Sequence, residues 1–167
     1  MNDKTPTLDI VKHELINDGS KLRAALPEHL KDSAGDFIRL ALVEFRRTPA
    51  LQNCSPASVV AAVLDCARLG LKPGPLGHVY FVPYRTDCTL IIGYRGLIKL
   101  ALRSGDITAV EAHPVFETER FDVELGSEPK ITHVPDYSVP RSPENVRLVY
   151  AIAHKRDGRS LFDVMTR

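Results

Sequence analysis

Tryptophan is absent from the 167 residues and cysteine is scarce, occurring three times. Cys54, Cys66 and Cys88 form an odd set without C-x-x-C spacing, which fits a reducing compartment better than a secreted disulfide scaffold. Long apolar runs are also missing. Val59–Leu64 and Leu90–Ile92 fall far short of the ~18 residues that span a bilayer. Met1–Leu8 carries Asp3, Lys4 and two threonines rather than the apolar centre of an export signal. The expectation is a cytoplasmic chain with no membrane anchor. Excess charge of one sign is lacking as well, with 22 Lys+Arg against 21 Asp+Glu. With 44% hydrophobic and 26% charged residues, the composition excludes wholesale disorder, collagen-like repetition and a coiled-coil rod. A chain of this size buries enough surface to fold without metal or disulfide staples.

Breakers and caps divide the chain into unlike halves near Gly70. Before it the apolar period is helical. Lys21–Leu30 is a short amphipathic piece interrupted by Pro27, and Gly35–Arg47 repeats Phe37, Leu40, Ala41 and Phe45 on one side. A third helix starts at the N-cap Ser55 with Pro56 in its first position, and Val59, Val60, Val63, Leu64 and Ala67 form its buried stripe. After Gly70 the period is that of strands: His78–Tyr84, Cys88–Ile92, Ala109–Glu117, Arg120–Leu125, Lys130–Val134, Val146–His154 and Ser160–Met165. Asp157-Gly158 closes the last hairpin in a turn that requires positive φ, and Pro135–Pro143 reads as an exposed connector. One helix intervenes, Tyr94–Ser104. The predicted class is α+β, with N-terminal helices followed by antiparallel hairpins around a central buried helix at about 94–104. Residues 1–20 are expected to be a mobile segment and 21–167 a single core.

The balanced total hides an uneven distribution. From Arg68 to Arg103 six basic residues face one acid. From Asp106 to Lys130 seven acids face two bases, and from Arg141 to Arg167 six bases face three acids. Such blocks suit one surface for a polyanion and another that meets a basic neighbour. Within the first block, Arg95, Lys99 and Arg103 recur every four residues and share an arc of roughly 80° on their helix. Three cations on one ridge repel each other unless an anion, or the acidic segment Glu111–Glu128, answers them. Tyr80, Phe81, Tyr84 and Tyr94 lie in the same stretch, and strand alternation sends Tyr80 and Tyr84 outward and Phe81 toward the core. Ring faces interleaved with cations are what single strands use for stacking and backbone neutralisation.

Catalytic motifs are wanting. No G-x-x-x-x-G-K-[ST] occurs, so ATP hydrolysis is not expected. Six scattered histidines make neither a Cys–His pair nor a zinc spacing. Glu117 and Glu119, placed on one strand face, have no accompanying motif for metal-dependent nuclease chemistry. No catalytic residue, metal site or cofactor is assigned.

Several runs, in order, carry a family resemblance. They are Leu22–Leu30, Ala41–Thr48 and Pro49–Pro56, then Leu69-Gly70-Leu71-Lys72-Pro73-Gly74, Leu76-Gly77-His78 and Val82-Pro83-Tyr84. Leu90-Ile91-Ile92-Gly93-Tyr94-Arg95-Gly96-Leu97-Ile98 follows, with Ala101, Arg103, Ser104 and Gly105 after it. In this pattern the chain resembles the RecT family of phage and prophage single-strand annealing proteins. The resemblance implies ATP-independent binding and annealing of complementary single strands in phage-type homologous recombination, by a binding protein and not an enzyme. It implies homo-oligomers, as rings or helical filaments, on single-stranded DNA and on the annealed duplex intermediate. A phage exonuclease and a host single-strand-binding protein are further implied partners, and in the bacterial host the chain would be nucleoid-associated when bound. Family members usually continue past the last hairpin, so the resemblance leads to the expectation of a core without the usual C-terminal extension. The alternative reading is therefore a truncated, non-annealing remnant that oligomerises or interacts. Charge position nominates Lys72, Arg85, Arg95, Lys99, Arg103, Arg147, Lys155 and Arg156 as DNA contacts together with Tyr94, with Tyr80 and Tyr84 as stacking or packing partners.

Overall fold

Ser55 stops one segment and starts the next. Its side chain accepts a hydrogen bond from the Ser58 N–H, its backbone N–H donates to the Thr86 carbonyl, and Pro56 opens helix α4, Pro56–Arg68. This is the first-turn chemistry expected of a Ser-Pro start. The computed structural model describes residues 7–17 and 19–166. In it α4 is preceded by α1 (Thr7–Asn17), α2 (Gly19–Ala25) and α3 (Ala34–Arg47). It is followed by strands β1 (Val79–Tyr84) and β2 (Asp87–Ile92), helix α5 (Tyr94–Ser104), and strands β3 (Ile107–Phe116), β4 (Arg120–Glu124), β5 (Lys130–Val134), β6 (Val146–Lys155) and β7 (Ser160–Thr166). All strand pairs are antiparallel, so the class is α+β. The chain divides into two compact units, Met1–Leu100 and Ala101–Arg167.

In the first unit the core gathers Phe37, Ala41 and Phe45 from α3 and Val59, Ala62, Val63, Cys66 and Ala67 from α4. Leu71, Val79 and Cys88 join them. Residues 7–17, read from the sequence without an element, form α1, and the i, i+4 pair Val11 and Leu15 is buried in the same core. The β1–β2 hairpin is tied to α4 through the Cys88 N–H, which donates to Ser58 Oγ at 2.9 Å. Cys54, Cys66 and Cys88 are all buried free thiols. Burial pushes the Cys66 and Cys88 thiols up to about 12, and Cys66 Sγ donates to the Leu71 carbonyl.

The first turn of α5 rests on backbone rather than side chains. The His78 carbonyl accepts the Gly93 N–H at 3.0 Å, and a Cβ placed on Gly96 would stand 2.1 Å from that same carbonyl oxygen. A Cβ on Gly93 would stand 2.3 Å from the Gly77 carbonyl oxygen. The helix lies where the sequence put it, but its burial does not follow the expectation of a central buried helix. Only Gly96 is buried, while Leu97 and Leu102 are 55% and 43% exposed. The packed face is set by the close approach at Gly96 together with the partly buried Leu100, which packs against the first unit's core.

The second unit contains the sheet β3–β6–β7 and the hairpin β4–β5. Val115, Leu148 and Tyr150 are its buried centre, with Phe121 and Ile131 packed against them. Glu117 and Glu119 do not share a strand face, because β3 ends at Phe116 and Glu119 folds back beneath it. The Glu119 carboxylate is buried and accepts from the Phe116 N–H at 2.8 Å, His133 Nε2 at 3.0 Å and the Asp136 N–H at 3.2 Å, with Arg141 at 3.3 Å. His133 Nδ1 in turn meets the Tyr150 hydroxyl at 3.0 Å. Burial alone would raise the Glu119 pKa, but these donors outweigh it and hold the carboxyl below its ordinary 4.5.

Two outcomes follow from these contacts. Gly96→Ala should lower stability by about 2–3 kcal/mol, because the His78 carbonyl is backbone and cannot step aside. A urea midpoint within experimental error of the parent would contradict that packing. Glu119, with its folded pKa depressed, contributes stability that is complete above the unfolded value of 4.5 and is lost as pH falls through the lower folded value. The Tm gap between the parent and Glu119→Gln should therefore be widest near neutrality and narrow below pH 4.5; a constant gap would refute the assignment.

Candidate functional site

Around the first two turns of α5 the chain collects cations, rings and one unsatisfied imidazole. Arg95 and Lys99 are exposed on this helix, four residues apart. Arg95 Nε donates to the Tyr94 hydroxyl at 3.0 Å, and its guanidinium carbon lies 5.7 Å from the Tyr94 ring centre. Tyr80 reaches the same region: its hydroxyl would meet a Cβ at Gly77 at 2.7 Å, and its ring edge would meet one at Gly93 at 2.9 Å. Tyr80 and Tyr94 remain 51% and 67% exposed. Phe81, the next residue, packs on the core as strand alternation requires.

Among the described residues, no carboxylate lies within ion-pair distance of Arg95 or Lys99. Three acids of the segment Glu111–Glu128 have basic partners within the second unit. Glu111 faces His113 and His154, Asp122 faces Arg120, and Glu119 holds His133 and Arg141. Two exposed cations without counter-charge, flanked by exposed ring faces, form an anion-receptive surface that also offers stacking area.

His78 is the residue near these cations that the charge pattern did not single out. Its Nδ1 is buried and has no hydrogen-bond partner among the described residues. Burial first, then Lys99 and Arg95, lowers the imidazole pKa from its ordinary 6.5. The only sequence signal was its place directly after Leu76-Gly77, because its proximity to α5 depends on a contact fifteen residues away in the chain.

Of the other nominated residues, Lys72 and Arg85 belong to the first unit. Lys72 Nζ is 3.5 Å from Asp36, a carboxylate that it shares with Arg39. Arg85 occupies the β1–β2 turn with φ 55°, its guanidinium carbon 5.8 Å from the ring centre of the 67% exposed Tyr84. Arg103, Arg147, Lys155 and Arg156 belong to the second unit. There Arg103 lies in the last turn of α5, Arg147 is exposed on β6, and Lys155 pairs with Asp157 at 3.4 Å. The Arg156 N–H donates to the Asp106 carbonyl, bringing that residue beside Gly105.

A protein-family model described as the RecT family matches residues 35–167. The chain belongs to the RecT family. This RecT-family chain is 42% identical over 156 residues to Protein RecT of Escherichia coli (strain K12), an alignment covering 88% of the chain and 56% of that protein. It is 32% identical over 93 residues to the uncharacterized protein YqaK of Bacillus subtilis (strain 168), covering 55% of the chain and 33% of YqaK. The chain thus spans about half the length, or less, of these curated relatives. The Gly-Tyr-Arg-Gly block of the RecT-family resemblance now divides by role. Its two glycines admit the backbone of residues 77 and 78, and the Tyr-Arg pair between them faces solvent.

The His78 environment has a measurable consequence. By proton NMR its imidazole should titrate below 6.5, and Lys99→Ala should move that pKa upward by removing one repulsive charge. An unmoved value would separate the two side chains. The folded protein binds fewer protons here than the unfolded chain, so this histidine subtracts stability as pH falls below 6.5.

Proposed function

We propose that the chain binds single-stranded DNA through its sugar–phosphate backbone and anneals complementary strands without ATP, as a step of phage-type homologous recombination. The observation that carries this reading is the pair Arg95 and Lys99, exposed beside Tyr80 and Tyr94 and without carboxylate partners among the described residues. Membership of the RecT family supports it. Phosphate contacts give affinity that is blind to sequence, which an annealer requires, because selection between strands must be left to Watson–Crick pairing. Lys72, Arg85, Arg103, Arg147, Lys155 and Arg156 supply further backbone contacts, and Tyr84 a further ring face. Several copies line one strand as a homo-oligomer, a ring or helical filament, so that its bases stay presented to the second strand. A nuclease partner that exposes single strands and a host single-strand-binding protein complete the setting, which is the bacterial cytoplasm.

The test is sequential annealing: one labelled oligonucleotide is bound, its complement is added, and duplex formation is followed by resonance energy transfer without nucleotide. Acceleration over the uncatalysed rate is expected; retention of neither strand at low salt would defeat the proposal. Arg95→Ala should weaken binding about five- to tenfold for unrelated sequences alike and reduce the log–log salt slope by about 0.7. A loss confined to one sequence would contradict a backbone contact.

A further inference from the structure

We propose that Tyr137, in the second unit, is a stacking platform for an unpaired nucleobase. The proposal rests on the single-strand reading above and adds a contact outside every residue named there. Tyr137 is 79% exposed and lies in the irregular segment between β5 and β6. Exposed rings in proline-rich connectors are ordinarily free to swing, yet this one is held on both sides. The preceding Asp136 N–H donates to the buried Glu119 carboxylate, and the Asp136 carboxylate accepts from the N–H and hydroxyl of Ser138. The ring is held from the side as well. The Arg141 guanidinium carbon lies 5.0 Å from the Tyr137 ring centre and 4.7 Å from that of Phe116, while an Arg141 nitrogen contacts Glu119 at 3.3 Å.

With the backbone before it tied to a buried carboxylate and its ring against an oriented cation, the side chain has lost part of its freedom without burying its own surface, and covering the ring offsets that loss. The chemistry of the cover follows from the charges beside it. A guanidinium against the ring draws electron density from it, which favours stacking by a neutral heteroaromatic face. Asp136 is engaged by Ser138, and Glu117, lining the same hollow as Arg141, repels phosphates. The platform therefore takes the base and leaves the phosphates to the basic residues. Every nucleobase has a π face, so the contact serves strands of any sequence.

Because the chain contains no tryptophan, Tyr137→Trp in the full chain gives a single-tryptophan reporter. Its fluorescence is titrated with oligo(dT) and with an abasic deoxyribose-phosphate oligomer of equal length, while anisotropy of end-labelled DNA records binding independently. Quenching by oligo(dT) but not by the abasic strand is the expected result. In parallel, Tyr137→Ala should weaken oligo(dT) binding about tenfold with an unchanged salt slope, whereas loss of a phosphate contact would lower the slope. Saturable anisotropy without quenching, or equal quenching by both oligomers, overturns the platform while leaving single-strand binding intact. Absence of any anisotropy change overturns both. Quenching that depends on protein concentration without DNA would assign the ring to contact between copies and overturn the nucleobase assignment.

Discussion

The candidate site depends on one backbone contact, the His78 carbonyl against the opening turn of α5. That oxygen accepts the Gly93 N–H and passes so close to Gly96 that no Cβ is admitted. The contact docks the first turn of the helix by its main chain, so of its side chains Leu100 packs on the core while the polar ones are not consumed in packing. Tyr94, Arg95 and Lys99 are consequently left in solvent on a rigid support, and His78 is placed beside the two cations. Rigidity matters for a surface that must hold a flexible polyanion, because each side chain ordered beforehand is one fewer to be ordered on binding.

The second unit solves its packing differently. Its apolar centre is small, and a buried carboxylate substitutes for additional hydrocarbon. Glu119 collects donors from the end of β3, from β5 and from the following connector. A buried charge is tolerable only when its acceptor sites are met. Satisfying them fixes segments that would otherwise be loose, and the exposed Tyr137 inherits that order.

Much of the fold was legible in residue order because the deciding interactions are local. Ser55-Pro56 capped α4, Tyr94–Ser104 bounded α5, and period-two patterning located all seven strands. What escaped depends on partners distant in sequence. Residues 7–17 form a helix whose Val11 and Leu15 are meaningful only against the core they join. The leucines of α5 suggested burial, yet the nearest approach is made at a glycine, which hydrophobic patterning does not register. For the candidate site, the cations and tyrosines could be read from charge blocks and alternation. The pairing of Lys72 with Asp36, the position of His78 and the enclosure of Glu119 could not, since each is a tertiary juxtaposition.

The three thiols carry a practical corollary. All are enclosed, and those of Cys66 and Cys88 stay protonated far above neutrality, whereas alkylating reagents attack the thiolate. A cysteine engineered onto an exposed position would thus accept a maleimide fluorophore or spin probe against a silent background, with no native residue replaced first.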